Sequence, residues 1–348
     1  MLYAPIFTLH IFLLFTKKTL IFSNIFVLLC VFAPLRPLRE IKTKSMQLPL
    51  IKYPILGIIN FLLLSVNIQP VFSSSYPTLI LAQNTNSKAA TEALNQGLQA
   101  IQSGKIEDAI TAFREAIKLD PKLAAAHYNL GLALRQSGKL QPAADAFYQA
   151  TQADPQFALA FANLGGALLE GNNLKLAKDY LSRALELNPN LGFAHYNMGL
   201  IRKEEKNWSS AIASFAKAKL ISQNAPEPAY HLGVCYLQQG KIEQAKAAFS
   251  EAIKINPKYA EAHYSIGTIL FNQGKLNEAL AAFRKSAAGN FNYANAYYGA
   301  GLVFIGLKQY KEAVQVLQYA RDLYNIQGNL QWGKNSQELL QKAQNLSR

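Results

Sequence analysis

The sequence predicts an all-α chain in which helix pairs of one size stack into an α-solenoid. Three observations carry this: residues recur every 34 positions from Ala90 onward, the apolar positions within each period fall at helical spacing, and Gly and Pro punctuate the period at fixed places. Gly97, Gly131, Gly165, Gly199, Gly233, Gly267 and Gly301 follow one another without an insertion. Twelve residues after each comes Ala109, Ala143, Ala177, Ala211, Ala245, Ala279 or Ala313. Four further on stands Phe113, Phe147, Leu181, Phe215, Phe249, Phe283 or Leu317, and three beyond that Ala116, Ala150, Ala184, Ala218, Ala252, Ser286 or Ala320. Pro121, Pro155, Pro189 and Pro257 close four of the units. The seven units are 90–123, 124–157, 158–191, 192–225, 226–259, 260–293 and 294–327.

Before the repeats lies a hydrophobic and basic region. Apolar runs 2–16 and 19–35 flank Lys17 and Lys18, and Arg36, Arg39, Lys42 and Lys44 follow. A second apolar run, 53–66, is short for a bilayer span but suits the core of a secretory signal, with Lys52 as its positive flank. Small residues place cleavage before Ser74 or before Gln83. On this reading Met46 is the working start, 1–45 is a leader, 46–82 is a signal peptide or membrane anchor, and 83–89 is a polar linker. The competing reading takes 19–35 and 53–69 as two membrane helices joined by a cytoplasmic basic stretch. Either way the repeats are expected on the extracytoplasmic side, secreted, periplasmic or tethered to the membrane. Cys30 follows Leu29, not a small residue, which disfavours a lipoprotein anchor.

Composition agrees. Lys and Arg number 35 against 21 Asp and Glu, a net charge of +14. Residues 1–89 hold eight basic residues and one acid, Glu40, whereas 90–348 hold 27 against 20. Half of the excess therefore flanks apolar runs, where it sets topology, and no nucleic-acid partner is expected. Two cysteines, Cys30 and Cys235, exclude a disulfide framework and a cysteine zinc cluster.

Within unit 124–157, Tyr128, Leu130, Leu132 and Leu134 sit in a first helix ending at Gly138. A second helix starting after Leu140 carries Ala143, Phe147 and Ala150 on one face. The small Gly131 and Ala143 allow close approach of the two backbones, Phe147 fills the space beside them, and Pro155 stops the second helix. One such pair cannot bury its own apolar face, so the units must stack.

This pattern of Gly, Ala, large apolar residue, Ala and Pro at fixed offsets resembles the tetratricopeptide repeat (TPR) family over residues 90–327. The resemblance implies a right-handed solenoid of seven helix pairs. The sequence departs from the pattern at Ser222–Ala225, at Gly289-Asn290-Phe291 and at Gly306, where looser or differently bent junctions are expected. Residues 328–348 resemble a capping helix, with Asn335 expected at its N-cap, Glu338 three residues on, and Leu339, Leu340, Ala343 and Leu346 as its apolar stripe.

Catalytic chemistry has little support. The Gly-Lys pairs at 104–105, 138–139, 240–241 and 274–275 lack the Ser or Thr and the loop of a phosphate site, and read as turns with glycine just past a helix end. His127, His195 and His263 share one position in alternate units, at least two helix spacings apart, too far to share a metal; they read as half-buried packing residues. Cys235 reads as an inert core thiol, and every Asp and Glu as solvent-facing. No enzyme activity, cofactor or metal is expected.

The resemblance implies that the first helix of each pair lines a concave groove and binds through its fifth, sixth, ninth, twelfth and thirteenth positions. The sixth reads Asn95, Asn129, Asn163 and Asn197, then His231, Ser265 and Gly299. Consecutive amides resemble the ladder by which such domains grip a peptide backbone, since an amide both donates and accepts. Replacing Asn129, Asn163 and Asn197 with Ala is expected to weaken capture and spare helicity. The fifth reads Tyr128, Tyr196, Tyr230, Tyr264 and Tyr298 in five units, with Leu94 and Ala162 in the others, an interface-like wall. Leu94, Leu98, Tyr128 and Leu132 occupy the slots of the family's carboxylate clamp, so that clamp is absent. Arg135 and Lys203 supply the groove's basic charge, with acidic Glu170, Glu204, Glu227 and Glu261 mostly beyond, a bipolar arrangement. The expected function is a scaffold for protein or peptide partners in assembly of a membrane or extracytoplasmic complex, with a regulatory subunit of an enzyme complex or a polysaccharide-binding adaptor as rivals.

Overall fold

The computed structural model describes residues 88–348, so the leader, the signal or anchor and most of the linker lie outside the described residues. Those residues form fifteen α-helices and fall into two compact units, 88–257 and 258–348. In the first unit the helices are α1 Lys88–Gln102, α2 Ile106–Leu119, α3 Ala124–Gln136, α4 Leu140–Ala153, α5 Ala158–Glu170, α6 Leu174–Leu187, α7 Gly192–Glu204, α8 Trp208–Ile221, α9 Pro226–Gln238 and α10 Ile242–Ile255. In the second they are α11 Ala260–Asn272, α12 Leu276–Gly289, α13 Ala294–Gly306, α14 Tyr310–Ile326 and α15 Leu330–Leu346. Helices pair within each period, and within each unit successive pairs stack, as the period requires. Among the described residues no helix is long and apolar enough to cross a membrane. The first helix starts at Lys88, two residues inside the expected linker.

The periodic glycine and the large apolar residue sixteen positions on form one packing unit. A Cβ at Gly97 would lie 2.3 Å from the Phe113 ring, one at Gly131 2.6 Å from Phe147, and one at Gly165 2.6 Å from Leu181. Phe113, Phe147, Phe215 and Phe249 are fully buried. The glycine is therefore there to seat an aromatic ring against bare backbone, which places both helices of a pair in register.

Every turn inside a pair uses one left-handed residue. Gly104, Gly138, Gly240 and Gly274 take it at φ of 71 to 76°, and Asn172, Lys206 and Lys308 take it at 56 to 59°. The Lys105 N–H donates to the Ala100 carbonyl at 2.9 Å across this turn, closing the helix end. The turn of the seventh unit is thus made by Lys308, and Gly306 is the last residue of α13.

Turns between pairs are held by side chains. The Asp120 carboxylate accepts from the Lys122 N–H at 3.0 Å, and Asp154, Asn188 and Asn290 accept likewise from Gln156, Asn190 and Asn292 at 2.9 Å. The shared histidine position is part of this device and does more than pack. His127 Nε2 lies 2.9 Å from the Pro121 carbonyl and His195 Nε2 2.8 Å from that of Pro189, so both rings carry the proton on Nε2. Tyr297 donates to the Phe291 carbonyl from the same position at 3.1 Å.

The irregular junctions are closed, not loose. At the first, the Ser222 N–H donates to Ala218 and the Ala225 N–H to Ser222, while Pro226 opens α9 at a position whose N–H needs no helical partner. At the second, the Gly289 Cα faces the Lys258 carbonyl so closely that a Cβ would meet it at 2.3 Å. The last helix corrects the expected cap: Asn329, not Asn335, is the N-cap, accepting from the Trp332 N–H at 3.4 Å. Asn335 lies inside α15 and accepts from Gln331 at 3.0 Å. Leu340 and Ala343 are buried as expected of the stripe, while Leu346 is 46% exposed.

Candidate binding faces of the first helices

In the first unit, packing consumes most of the expected ladder. Asn95 is exposed. Asn129 has no exposed surface, and its Nδ2 donates to the Ala125 carbonyl at 2.9 Å. Asn163 is 5% exposed and donates to the Leu159 carbonyl at 3.0 Å and to Tyr128 Oη at 3.3 Å. Asn197 is buried beside the backbone of Gly166, which also receives the Phe193 ring. The expectation of an open run of four amides is corrected: three of them are buried, Asn163 and Asn197 against the preceding first helix.

The tyrosines divide in the same way. Tyr128 and Tyr196 are buried against Phe147 and Phe215, with ring centroids 5.8 Å apart in each pair. Burial drives both hydroxyls far above the usual tyrosine range. Tyr230 is half-buried between Phe249 and His231. His231 in turn stacks on Phe215 at 5.2 Å, and burial, with Lys203 as a lesser cause, lowers it to about 3.

Four of the charges at the predicted positions form ion pairs. Arg135 pairs with Glu170 and lies 5.8 Å over the Phe193 ring, so one side chain bridges three repeats. Lys203 pairs with Glu204 at 3.0 Å. Glu227 is buried, against the expectation that all carboxylates face solvent. Both basic side chains of the expected bipolar arrangement therefore pair with a neighbouring carboxylate. Cys235 is fully buried and its thiol is pushed up to about 11, which makes it inert. Among the described residues no group of three or more His, Cys, Asp or Glu is placed to hold a metal ion.

The second unit presents the more open face. Tyr264 and Tyr298 are half-buried, Tyr264 against Phe283 and Tyr293 at 5.6 Å each. Tyr298 meets Trp332 at 5.3 Å with rings at 84°, and Trp332 stacks on Tyr324 at 6.0 Å and 28°. Tyr324 is fixed by its hydroxyl bond to Asn295 Oδ1. Trp332 keeps 43% of its surface exposed.

Residues 97–138 and 235–274 match the family model described as TPR repeat, and 124–157 and 158–191 match the tetratricopeptide repeat model. The matched segments read as tetratricopeptide repeats, and the described helix pairs pack as such repeats do. Among solved structures, the chain is similar to a tetratricopeptide repeat protein from Parabacteroides merdae, at 19% identity and a TM-score of 0.56 over 74% of this chain and all of that one. It is also similar to a chain of the APC/C hetero-tetramer Cut9–Hcn1, at 19% identity and TM-score 0.55 over 62% of this chain, a match that spans 42% of the other chain's length. A third, Pseudomonas aeruginosa pilF, matches at 20% identity and TM-score 0.54 over 61% of this chain and 96% of that one. No curated protein sequence matches. At these identities the neighbours speak to the TPR fold alone.

Sequence reasoning missed Trp332. It stands 34 residues after Tyr298, so it occupies the fifth position of an eighth first helix, and the TPR period itself pointed to it. The helix read as a cap therefore also extends the aromatic wall.

Proposed function

We propose that this protein is a non-catalytic scaffold that holds extended segments of partner proteins against the first-helix faces of its TPR units. The observation that carries this reading is a half-exposed aromatic side chain at the same repeat position of several first helices, Tyr230 in the first unit and, within the second, Tyr264 and Tyr298. Rigid rings with a polar tip gain contact area at little entropic cost. The N-terminal apolar runs support a site of action at or beyond a membrane, in assembly of a complex there.

Selection of random peptides on the immobilised full-length chain tests the binding role. Peptides should be enriched, and Tyr230→Ala with Tyr298→Ala should release them while Tyr148→Ala, at a 42% exposed position of a second helix, should not. Enriched peptides indifferent to all three changes would remove the groove reading. N-terminal sequencing of fractionated cellular protein tests the location: a soluble chain starting near Ser74 or Gln83, or a membrane-bound one retaining 53–69, agrees with it. A soluble chain retaining 53–69 on the cytoplasmic side does not.

A further inference from the structure

We propose that one edge of the second unit, the pair of turns bearing Phe291, Ile326 and Leu330, seats in the headgroup boundary of a lipid bilayer. This rests on the membrane location read above and adds a second contact to the N-terminal apolar run. Among the described residues four large apolar side chains are more than half exposed, and three of them are Phe291 at 52%, Ile326 at 67% and Leu330 at 71%. A 2.7 Å bond from Gln327 Nε2 to the Asn292 carbonyl joins the two turns that carry them. Phe291 and Ile326 each adjoin one end of this bond in sequence, and Leu330 comes three residues after Gln327. Trp332, 43% exposed, stands two residues further on in α15.

Folding does not account for these side chains. Phe291 occupies the place that Pro121, Pro155, Pro189 and Pro257 hold in four other units. The turn closes without its ring, because the Asn290 side chain accepts from the Asn292 N–H at 2.9 Å, as its counterparts do elsewhere. Ile326 ends α14 and Leu330 opens α15, and neither belongs to the buried stripe of its helix. Leaving the three in water forgoes the gain that burial of an apolar side chain brings.

Charge and area select the occupant. Residues 286–307 and 323–333 contain no charged side chain, in a chain that is 16% charged, so none in these stretches loses hydration when this edge meets lipid. The exposed amides Asn292, Gln327 and Gln331 supply uncharged polar groups beside the apolar ones, and Trp332 is of the type favoured at headgroup level. The three apolar side chains offer a few hundred Å², short of the about 800 Å² that each partner buries in a standard protein interface. A second copy of the chain would therefore not be held by this edge alone. A bilayer already at hand needs less area. The apolar run 53–69 ends 19 residues before Lys88, about 65 Å at full extension. A chain anchored by that run meets the bilayer at high effective concentration, where a weak contact is occupied.

The test is quenching of Trp332 by brominated lipid. Trp208 and Trp332 are the two tryptophans of the chain, so Trp208→Phe leaves Trp332 as the sole reporter. The full-length chain is reconstituted in phosphatidylcholine vesicles with plain or with brominated acyl chains. Bromine should quench Trp332, and the triple change Phe291→Ser, Ile326→Ser and Leu330→Ser should abolish the quenching with circular dichroism unaltered. Leu220→Ser, at a position 71% exposed in the first unit, should leave it in place. So should salt at about 0.5 M, where charges are screened within a few Å, because the contact is apolar. Unquenched Trp332, quenching indifferent to the triple change, equal quenching of Trp208 in Trp332→Phe, or loss in salt overturns the proposal. A mass in detergent that is doubled for the parent chain and single for the triple variant assigns the edge to a second copy and overturns it too. Flotation with the vesicles separates the two levels. A chain that floats with Trp332 unquenched sinks the edge contact alone, whereas a chain that does not float removes the membrane reading with it.

Discussion

Asn163 decides between two roles for the sixth-position amides. Its Nδ2 donates to the Leu159 carbonyl at 3.0 Å and to Tyr128 Oη at 3.3 Å, so it joins α5 to α3 in a site that is almost closed to water. Asn163→Ala removes both bonds and leaves a buried hydroxyl without its donor. Two neutral bonds at about 0.5–1.5 kcal/mol each give an expected loss of about 1–3 kcal/mol. Tyr128→Phe removes the longer bond from the other side, at about 0.5–1 kcal/mol, and the double variant should show positive coupling of similar size. In an array whose stability is a sum over neighbouring repeats, this appears as a lower urea midpoint by circular dichroism. Peptide capture should fall only as far as folding does. An unchanged midpoint with capture lost would refute the reasoning and restore the amide to the ligand-binding role first expected of it.

Two further outcomes follow from the turns and the buried imidazole. Lys308 holds φ at 59°, a conformation costing an ordinary residue about 1–2 kcal/mol, and Gly gives back about 0.4–1 kcal/mol through the unfolded chain. Lys308→Gly should therefore stabilise by about 0.5–1 kcal/mol in thermal melts, with Asn172→Gly gaining less because Asn tolerates this region; destabilisation by Lys308→Gly would contradict the argument. His231 is held neutral down to about 3 by burial, then by Lys203, among Tyr196, Phe215 and Tyr230. The unfolded chain takes up that proton near 6.5, so stability present above 6.5 is lost as pH falls from there toward 3. His231→Asn should flatten the decline between pH 7 and 5 in urea midpoints, and an unaltered slope would show that other groups set it.

The fold was legible because each of its determinants is local or strictly periodic. Gly131 and Phe147 sit at fixed offsets on two adjoining helices, so their spacing in sequence already encodes a ring lying on bare backbone. Gly138-Lys139 announces a turn because only a left-handed residue closes it, and the same register finds Lys308 where no glycine stands. Trp332 was within reach of the same rule. The state of the binding face was not legible, because exposure at the fifth and sixth positions depends on how near the next first helix comes. That distance buried Asn129, Tyr128, Tyr196 and Glu227, and it paired Arg135 with a residue one repeat on. The sequence alone determined the repeat, its pairing and its turns, since these rest on contacts within 34 residues. Only the tertiary structure decided which repeated side chains remain open to a partner, because that depends on the packing of one repeat against the next.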